Sequence, residues 1–209
     1  MKILLIDLDR TLYPPENAMF TQMGVRITEY IQTVLKVSHA QAVALRKQYW
    51  KMYGLTLIGL IKHHQVDTED FLHFVHDVVP EIYIHPNPRL AREISLLPFR
   101  KILFTNSCRY YAKKVLLALE MNTCFDTILD IRAMRFYPKP HPKAYEMVLN
   151  RFSVSGSECM LVDDSLDNLY QASSMGMMTI WVGKGEWPPG IDGHACLPDD
   201  IPAKIKRLL

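Results

Sequence analysis

Four apolar residues, Ile3-Leu4-Leu5-Ile6, stand directly before the polar stretch Asp7-Leu8-Asp9-Arg10-Thr11. A short continuous apolar run of this kind suits a strand buried on both faces. From about residue 17 to residue 97 the pattern has a longer period. Met19, Met23, Ile27, Tyr30, Ile31 and Val34 recur at three- and four-residue spacing and predict an amphipathic helix. Val43, Leu45, Tyr49 and Met52 predict a second helix, stopped near Gly54, and Leu57 to Ile61 a short third. Asp67 or Thr68 is placed to cap a helix carrying Phe71, Leu72 and Val75. Pro80, Pro86 and Pro88 then interrupt the pattern before a helix over about residues 89–96.

From Lys101 onward, short apolar runs alternate with helical patterns. Ile102-Leu103-Phe104 leads to a helix near residues 112–121, then a strand near 125–131 and a helix near 142–152. A strand over 159–162 ends in Asp163-Asp164, and a helix runs from there to about Met175. A strand over 178–182 comes next, then a loop at Trp187-Pro188-Pro189-Gly190, a short strand and a last helix. Alternation of this type predicts a parallel sheet covered on both faces, hence an α/β fold with a Rossmann-like core. The first strand shares the character of the later ones. The expected organisation is a core from residues 1–14 and 99–209, interrupted by an all-helical insertion over 15–98, with Pro14 and Pro15 constraining its root.

Composition narrows the function classes. The 209 residues are 49% hydrophobic with a formal charge of +2, which excludes disorder and gives no electrostatic case for a nucleic-acid polymer as partner. No apolar run is long enough to span a membrane, and Met1 leads straight into a strand. Cys108, Cys124, Cys159 and Cys196 are widely spaced and read as reduced, small core residues. The expectation is a soluble cytoplasmic protein.

The chemistry gathers at strand ends. Asp7 and Asp9 are two residues apart, so their side chains leave the same side of an extended segment. Such a pair is costly unless a cation or a shared proton separates the charges, and it suits metal-assisted attack by one Asp while the other handles protons. In parallel sheets, ligands bind beyond the carboxyl ends of the strands. Those ends here carry Asp7 and Asp9, Thr105 and Asn106, and Asp163 and Asp164. Lys139, between Pro138 and Pro140, follows the strand near residue 128 and can offer an ammonium to a phosphoryl oxygen or a carboxylate.

In these four motifs, Asp7-Leu8-Asp9-Arg10-Thr11, Thr105-Asn106, Lys139 and Val162-Asp163-Asp164-Ser165, the sequence resembles the haloacid dehalogenase-like (HAD) hydrolase superfamily. Within it, the chain looks most similar to the pyrimidine 5′-nucleotidase group. That finer likeness rests on Asp9-Arg10-Thr11-Leu12-Tyr13-Pro14, on Tyr53 to Leu60 with Phe74-Val75-His76-Asp77, and on Phe104-Thr105-Asn106-Ser107. The resemblance implies a HAD core with an inserted helical (C1-type) cap that closes over Asp7. It implies that Asp7 attacks phosphorus to form an aspartyl-phosphate, and that Asp9 protonates the leaving alkoxide and then activates water. Thr105 and Asn106 would hold the phosphoryl group and Lys139 would neutralise charge beside Asp7. Mg²⁺ would be held by Asp7, the Asp9 carbonyl and Asp164, with Asp163 close by.

The implied activity is hydrolysis of a small phosphorylated metabolite, a nucleoside monophosphate for preference. Other phosphomonoesters such as sugar phosphates or phosphoglycolate, phosphoryl transfer to a sugar, and an inactive phospholigand-binding relative are the alternatives. Dehalogenases of the superfamily carry another residue at the second acidic position, so Asp9 favours phosphate esters. Between Asp9 and Thr105 lie 95 residues, against 32 between Asn106 and Lys139, so a lid must arise after the first strand. Two positions depart from the family pattern: Arg10, where Asn or Gly is usual, and Asn168, where many relatives carry an acid. Of the insertion's histidines, His39, His63, His64, His73, His76 and His85, surface or hydrogen-bonding roles are expected. His76-Asp77 carries substrate contact as its alternative. Tyr13, Met52 and Tyr53 are expected in core packing, with a surface for a base as the alternative, and His141 is expected in a turn.

Overall fold

The computed structural model describes residues 1–14 and 16–209, so Pro15, one of the two prolines expected at the root of the insertion, lies outside the described residues. The chain begins with β1 (Ile3–Ile6), followed by α1 (Ala18–Leu35), α2 (His39–Tyr53), α3 (Thr56–His64), α4 (Thr68–Val75) and α5 (Pro88–Ser95). Strand β2 (Arg100–Phe104), α6 (Arg109–Ala118), β3 (Thr127–Leu129) and α7 (Pro142–Phe152) come next. The chain closes with β4 (Cys159–Asp163), α8 (Leu166–Ser174), β5 (Met178–Val182), β6 (Gly193–Ala195) and α9 (Ile201–Arg207). These elements form two compact units, Met1–Asn17 with Ile84–Leu209, and Ala18–Tyr83.

The first unit is built on a six-stranded sheet in the order β3-β2-β1-β4-β5-β6, with every pairing parallel. This is the Rossmann-like α/β architecture that the alternation of runs implies. The four residues of β1 are all buried, as an apolar run between two neighbours requires. Ile6 lies opposite Leu103 on β2 and Val162 on β4, so that register brings the ends of three strands to one edge. The chain moves from β1 outward to β2 and β3, then returns to the far side of β1 as β4. That reversal opens a crevice at the β1/β4 boundary, where Asp7, Asp163 and Asp164 stand.

Several expectations shift. Helix α6 starts at Arg109 rather than near 112, because the Arg109 amide is anchored on Asp130 Oδ2 at 2.9 Å. It ends before residue 121, where Glu120 turns left-handed (φ 58°) and the Met121 amide bonds back to the Leu116 carbonyl. Residues 84–98, expected in the helical insertion, belong to the first unit. There α5 buries Leu90, Ala91 and Ile94, Asn87 hydrogen-bonds Asp199 and the Leu119 carbonyl, and Ser95 reaches Cys124. Cys108, Cys124 and Cys159 are buried and outside any disulfide, whereas Cys196 is exposed and so is not a core residue.

In the helical unit, α1 buries Met19, Met23, Tyr30 and Ile31, but Val34 is exposed and Thr28 takes an inner position instead. Thr28 is tolerated there because its hydroxyl donates to the Gly24 carbonyl at 3.0 Å. A Ser38–Gln41 capping box starts α2, and Gly54 ends it in the left-handed region (φ 75°) that the missing side chain makes accessible. Asp67 caps α4 through the Asp70 amide. Met52, expected in the core, is 56% exposed. Tyr49 and Tyr53 hydrogen-bond His64 and His63, and His39 meets Gln32. His76 is buried with Nδ1 3.0 Å from the Leu72 carbonyl, and Asp77 pairs with Arg26. Among the described residues no helix is long and apolar enough to cross a membrane.

Candidate active site

Asp7 follows β1 without a break, its amide bonding the Val162 carbonyl at 2.9 Å, and the residue is 7% exposed. Lys139 reaches it from the loop before α7. The Lys139 Nζ donates to Asp7 Oδ1 at 2.7 Å and to Asp163 Oδ2 at 2.6 Å, and Lys139 is itself only 2% exposed. Asp163 is fully buried, and its other oxygen accepts from the Ser165 amide and from Asn168 Nδ2, both at 2.9 Å. Asn168, flagged in the sequence as a departure from an acidic residue, thus holds a carboxylate in place.

Lys139 is fixed through its main chain. Its amide donates to Asn106 Oδ1 at 2.8 Å, and Asn106 Nδ2 donates to the Lys139 carbonyl at 3.0 Å. The Asn106 side chain thereby clamps the lysine loop to the end of β2. Its Thr105 neighbour is buried, and Thr105 Oγ1 accepts from the Ser107 amide at 3.0 Å, which leaves the hydroxyl proton to donate. His141 caps α7 by accepting from the Lys143 amide, as a turn residue does.

Asp9 is surrounded by hydroxyls. Tyr13 and Tyr111 donate to Oδ1 at 2.7 and 2.8 Å, and Ser107 donates to Oδ2 at 2.7 Å. Burial, with Asp9 beside them, pushes both tyrosines well above the ordinary phenol range, so each stays a donor. Tyr13 therefore serves a carboxylate rather than a base-binding surface. Sequence reasoning passed over Tyr111 and quoted Ser107 only within the Phe104–Ser107 likeness, without a role. A further signal was that the two hydroxyl residues stand one helical turn apart, directly after Thr105-Asn106.

Asp7, Asp163 and Asp164 each offer an oxygen within 4.8 Å of the others, the one such group of acid, His or Cys side chains among the described residues. Burial raises Asp7 well above the usual carboxylate range; Lys139 opposes this, while Asp163, Asp164 and Asp9 add to it. Burial likewise pushes Asp164 up to about 7, with Asp163 and Asp9 reinforcing and Arg10 and Lys139 opposing. Lys139 moves the other way: burial disfavours its charge, but Asp163 and Asp7 outweigh burial and hold the ammonium firmly protonated. Negative charge therefore exceeds the positive charge available in the crevice. A hard divalent cation with oxygen ligands fits both the donor set and that imbalance. The Asp9 side chain lies outside this oxygen set.

Arg10 sits on a left-handed turn (φ 66°) and its guanidinium lies 3.2 Å from Asp164 Oδ2. That contact sets the Arg10 charge beside Asp164.

Comparison with known proteins adds a family. A family model described as haloacid dehalogenase-like hydrolase matches residues 1–176. Phosphate metabolism protein 8 of Saccharomyces cerevisiae is 28% identical over 191 residues, 84% of this chain and 60% of the yeast protein. Glyceraldehyde 3-phosphate phosphatase of Pyrococcus abyssi is 33% identical over 72 residues, 34% of this chain and 30% of that protein. The chain thus spans less than two thirds of the length of these curated relatives. Among solved structures, a HAD phosphatase from Thermococcus onnurineus superposes with a TM-score of 0.63 at 18% identity, covering 98% of both chains. L-2-haloacid dehalogenase from Xanthobacter autotrophicus gives 0.63 at 15% identity over 99% of both.

Proposed function

Since the chain belongs to the haloacid dehalogenase-like hydrolase family, we propose that it is a Mg²⁺-dependent phosphomonoester hydrolase working through an aspartyl-phosphate on Asp7. The observation that carries this reading is the buried Asp7–Lys139–Asp163 array with Asp164 beside it, within ligating reach. Asp7, Asp163 and Asp164 would hold the ion, with the Asp9 carbonyl contributing. When bound, it supplies positive charge against the phosphoryl oxygens.

The residues then divide the work. A carboxylate oxygen of Asp7 forms a bond to phosphorus while the ester oxygen leaves opposite to it. Asp9, in its acid form, gives that oxygen a proton; the resulting carboxylate later takes a proton from the water that attacks phosphorus and frees Asp7. Thr105 donates its hydroxyl proton to a phosphoryl oxygen. Lys139 opposes the effect of burial on Asp7 and offsets charge as it spreads over the phosphoryl group. Asn106 holds Lys139 at that position. Tyr13, Tyr111 and Ser107 hold Asp9. An acid at position 9 supports ester cleavage over carbon–halogen cleavage, since a departing halide needs no proton.

For substrate, a pyrimidine nucleoside 5′-monophosphate is the reading supported by the sequence likeness around Asp9 to Pro14 and Thr105 to Ser107. The partial match to a glyceraldehyde 3-phosphate phosphatase favours a second reading, a small sugar or triose phosphate. Phosphate release from UMP, CMP, dUMP, AMP, GMP and triose and hexose phosphates, with Mg²⁺ and with EDTA, tests both. Wild type is expected to release phosphate only with Mg²⁺ and Asp7→Asn to release none. Turnover by Asp7→Asn, or failure to detect a phosphorylated Asp7 by mass spectrometry in Asp9→Asn under substrate, would refute the mechanism.

A further inference from the structure

Arg10 stands where its backbone cannot easily move. It occupies the left-handed region at φ 66°, inside a turn in which the Thr11 and Leu12 amides bond back to the Leu8 carbonyl. Its neighbour Asp9 is pinned by three hydroxyls. A long cationic side chain is therefore launched from a fixed point beside the acidic group. Its guanidinium meets Asp164 Oδ2 at 3.2 Å. The Asp164 main chain is fixed as well, because its carbonyl accepts from Trp181 Nε1 at 3.0 Å and that indole stacks on His194 at 4.7 Å. What can change is the Arg10 side chain, 43% exposed and so able to swing into water.

We propose that Arg10 is a built-in competitor for the divalent cation, occupying Asp164 until the metal displaces it. This rests on the metal-site reading above. A guanidinium beside Asp164 occupies a lone pair that the ion needs and repels the ion by its charge. Metal affinity is lowered by the free energy of that contact, and occupancy of the site becomes responsive to free Mg²⁺ rather than saturated at all levels. Neither of the other cations of this region does this. Lys139 is committed to Asp7 and Asp163 in the interior, and Lys184 pairs with Glu16 at 2.5 Å.

Mg²⁺ binding by calorimetry on the substrate-free full chain tests the inference without using activity. The proteins are wild type, Arg10→Asn, Arg10→Lys and Lys184→Met, at one pH and ionic strength. Asn adopts the left-handed region readily, so Arg10→Asn preserves the turn. Arg10→Asn is expected to bind Mg²⁺ about 5-fold tighter, the upper range for a half-exposed ion pair. Arg10→Lys should recover part of the wild-type weakness, and Lys184→Met should match wild type. An Arg10→Asn affinity within twofold of wild type, or weaker, overturns the proposal while leaving the metal site intact. A gain in Lys184→Met equal to that in Arg10→Asn overturns it too, since general charge would then explain the effect. Absence of Mg²⁺ binding in all four proteins overturns both this inference and the metal site.

Discussion

Lys139→Met tests the charge arrangement at its centre. Lys139 makes two ion pairs, at 2.7 Å to Asp7 and 2.6 Å to Asp163, and its Nζ lies 5.0 Å from the centre of the Phe104 ring. Methionine is an unbranched apolar side chain of similar length, so the change isolates the ammonium. Removing one partner from a buried pair costs about 3–5 kcal/mol, because the remaining charge has no counterpart. Burial already favours the protonated form of Asp7, which can therefore neutralise itself and bring the loss toward the lower end, about 3 kcal/mol. With a urea slope of about 2 kcal/mol per molar, the midpoint should fall by about 1.5 M in EDTA. The assay is fluorescence in a Trp50→Phe background, which leaves Trp181 and Trp187 to report on the first unit alone. Saturating Mg²⁺ should narrow the gap, since the ion offers the carboxylates another partner. A midpoint shift under about 0.5 M in EDTA would refute the view that Lys139 neutralises this interior.

Tyr111→Phe removes one donor from Asp9 while leaving the Tyr13 and Ser107 bonds in place. Loss of one such bond, about 1–1.5 kcal/mol, should lower kcat about 10-fold and leave KM within about twofold, measured by steady-state phosphate release. An unchanged kcat would remove Tyr111 from the positioning of Asp9. At the amino-terminal edge of the sheet, Lys2, with the Ser155 amide and hydroxyl, holds the Glu158 carboxyl down to about 2 from an ordinary 4.5. A depressed acid stabilises the fold fully above pH 4.5, and the contribution disappears as pH falls through 2. Glu158→Gln should therefore flatten that part of the acid unfolding curve. Superimposable curves for the two proteins between pH 4.5 and 2 would dismiss the interaction.

The α/β character was legible because buried parallel strands leave a plain mark. Ile3 to Ile6, Ile102 to Phe104 and Cys159 to Val162 are apolar runs too short to be independent helices, each followed at once by polar residues. Asp7, Asp163 and Asp164 could be singled out for the same reason, since register brings strand ends together without needing side-chain detail, whereas Lys139 was marked by its flanking prolines. Roles decided by side-chain direction were not legible. The Asn106 amide bonds the lysine backbone, and Tyr13 turns to Asp9. The inclusion of α5 in the first unit was hidden for another reason. Its period is as helical as that of α4, and only the partners of Asn87 and Ser95 decide where it belongs.

The position of β1 at the middle of the sheet has a mechanical corollary. A strand paired along both sides cannot fray from an open edge; releasing it requires the whole layer to come apart. Amide hydrogens of Leu4 to Ile6 should therefore be among the slowest in the molecule to exchange with heavy water. The residue one step beyond them inherits that steadiness, so thermal wandering of the attacking atom is held down by the most durable part of the scaffold.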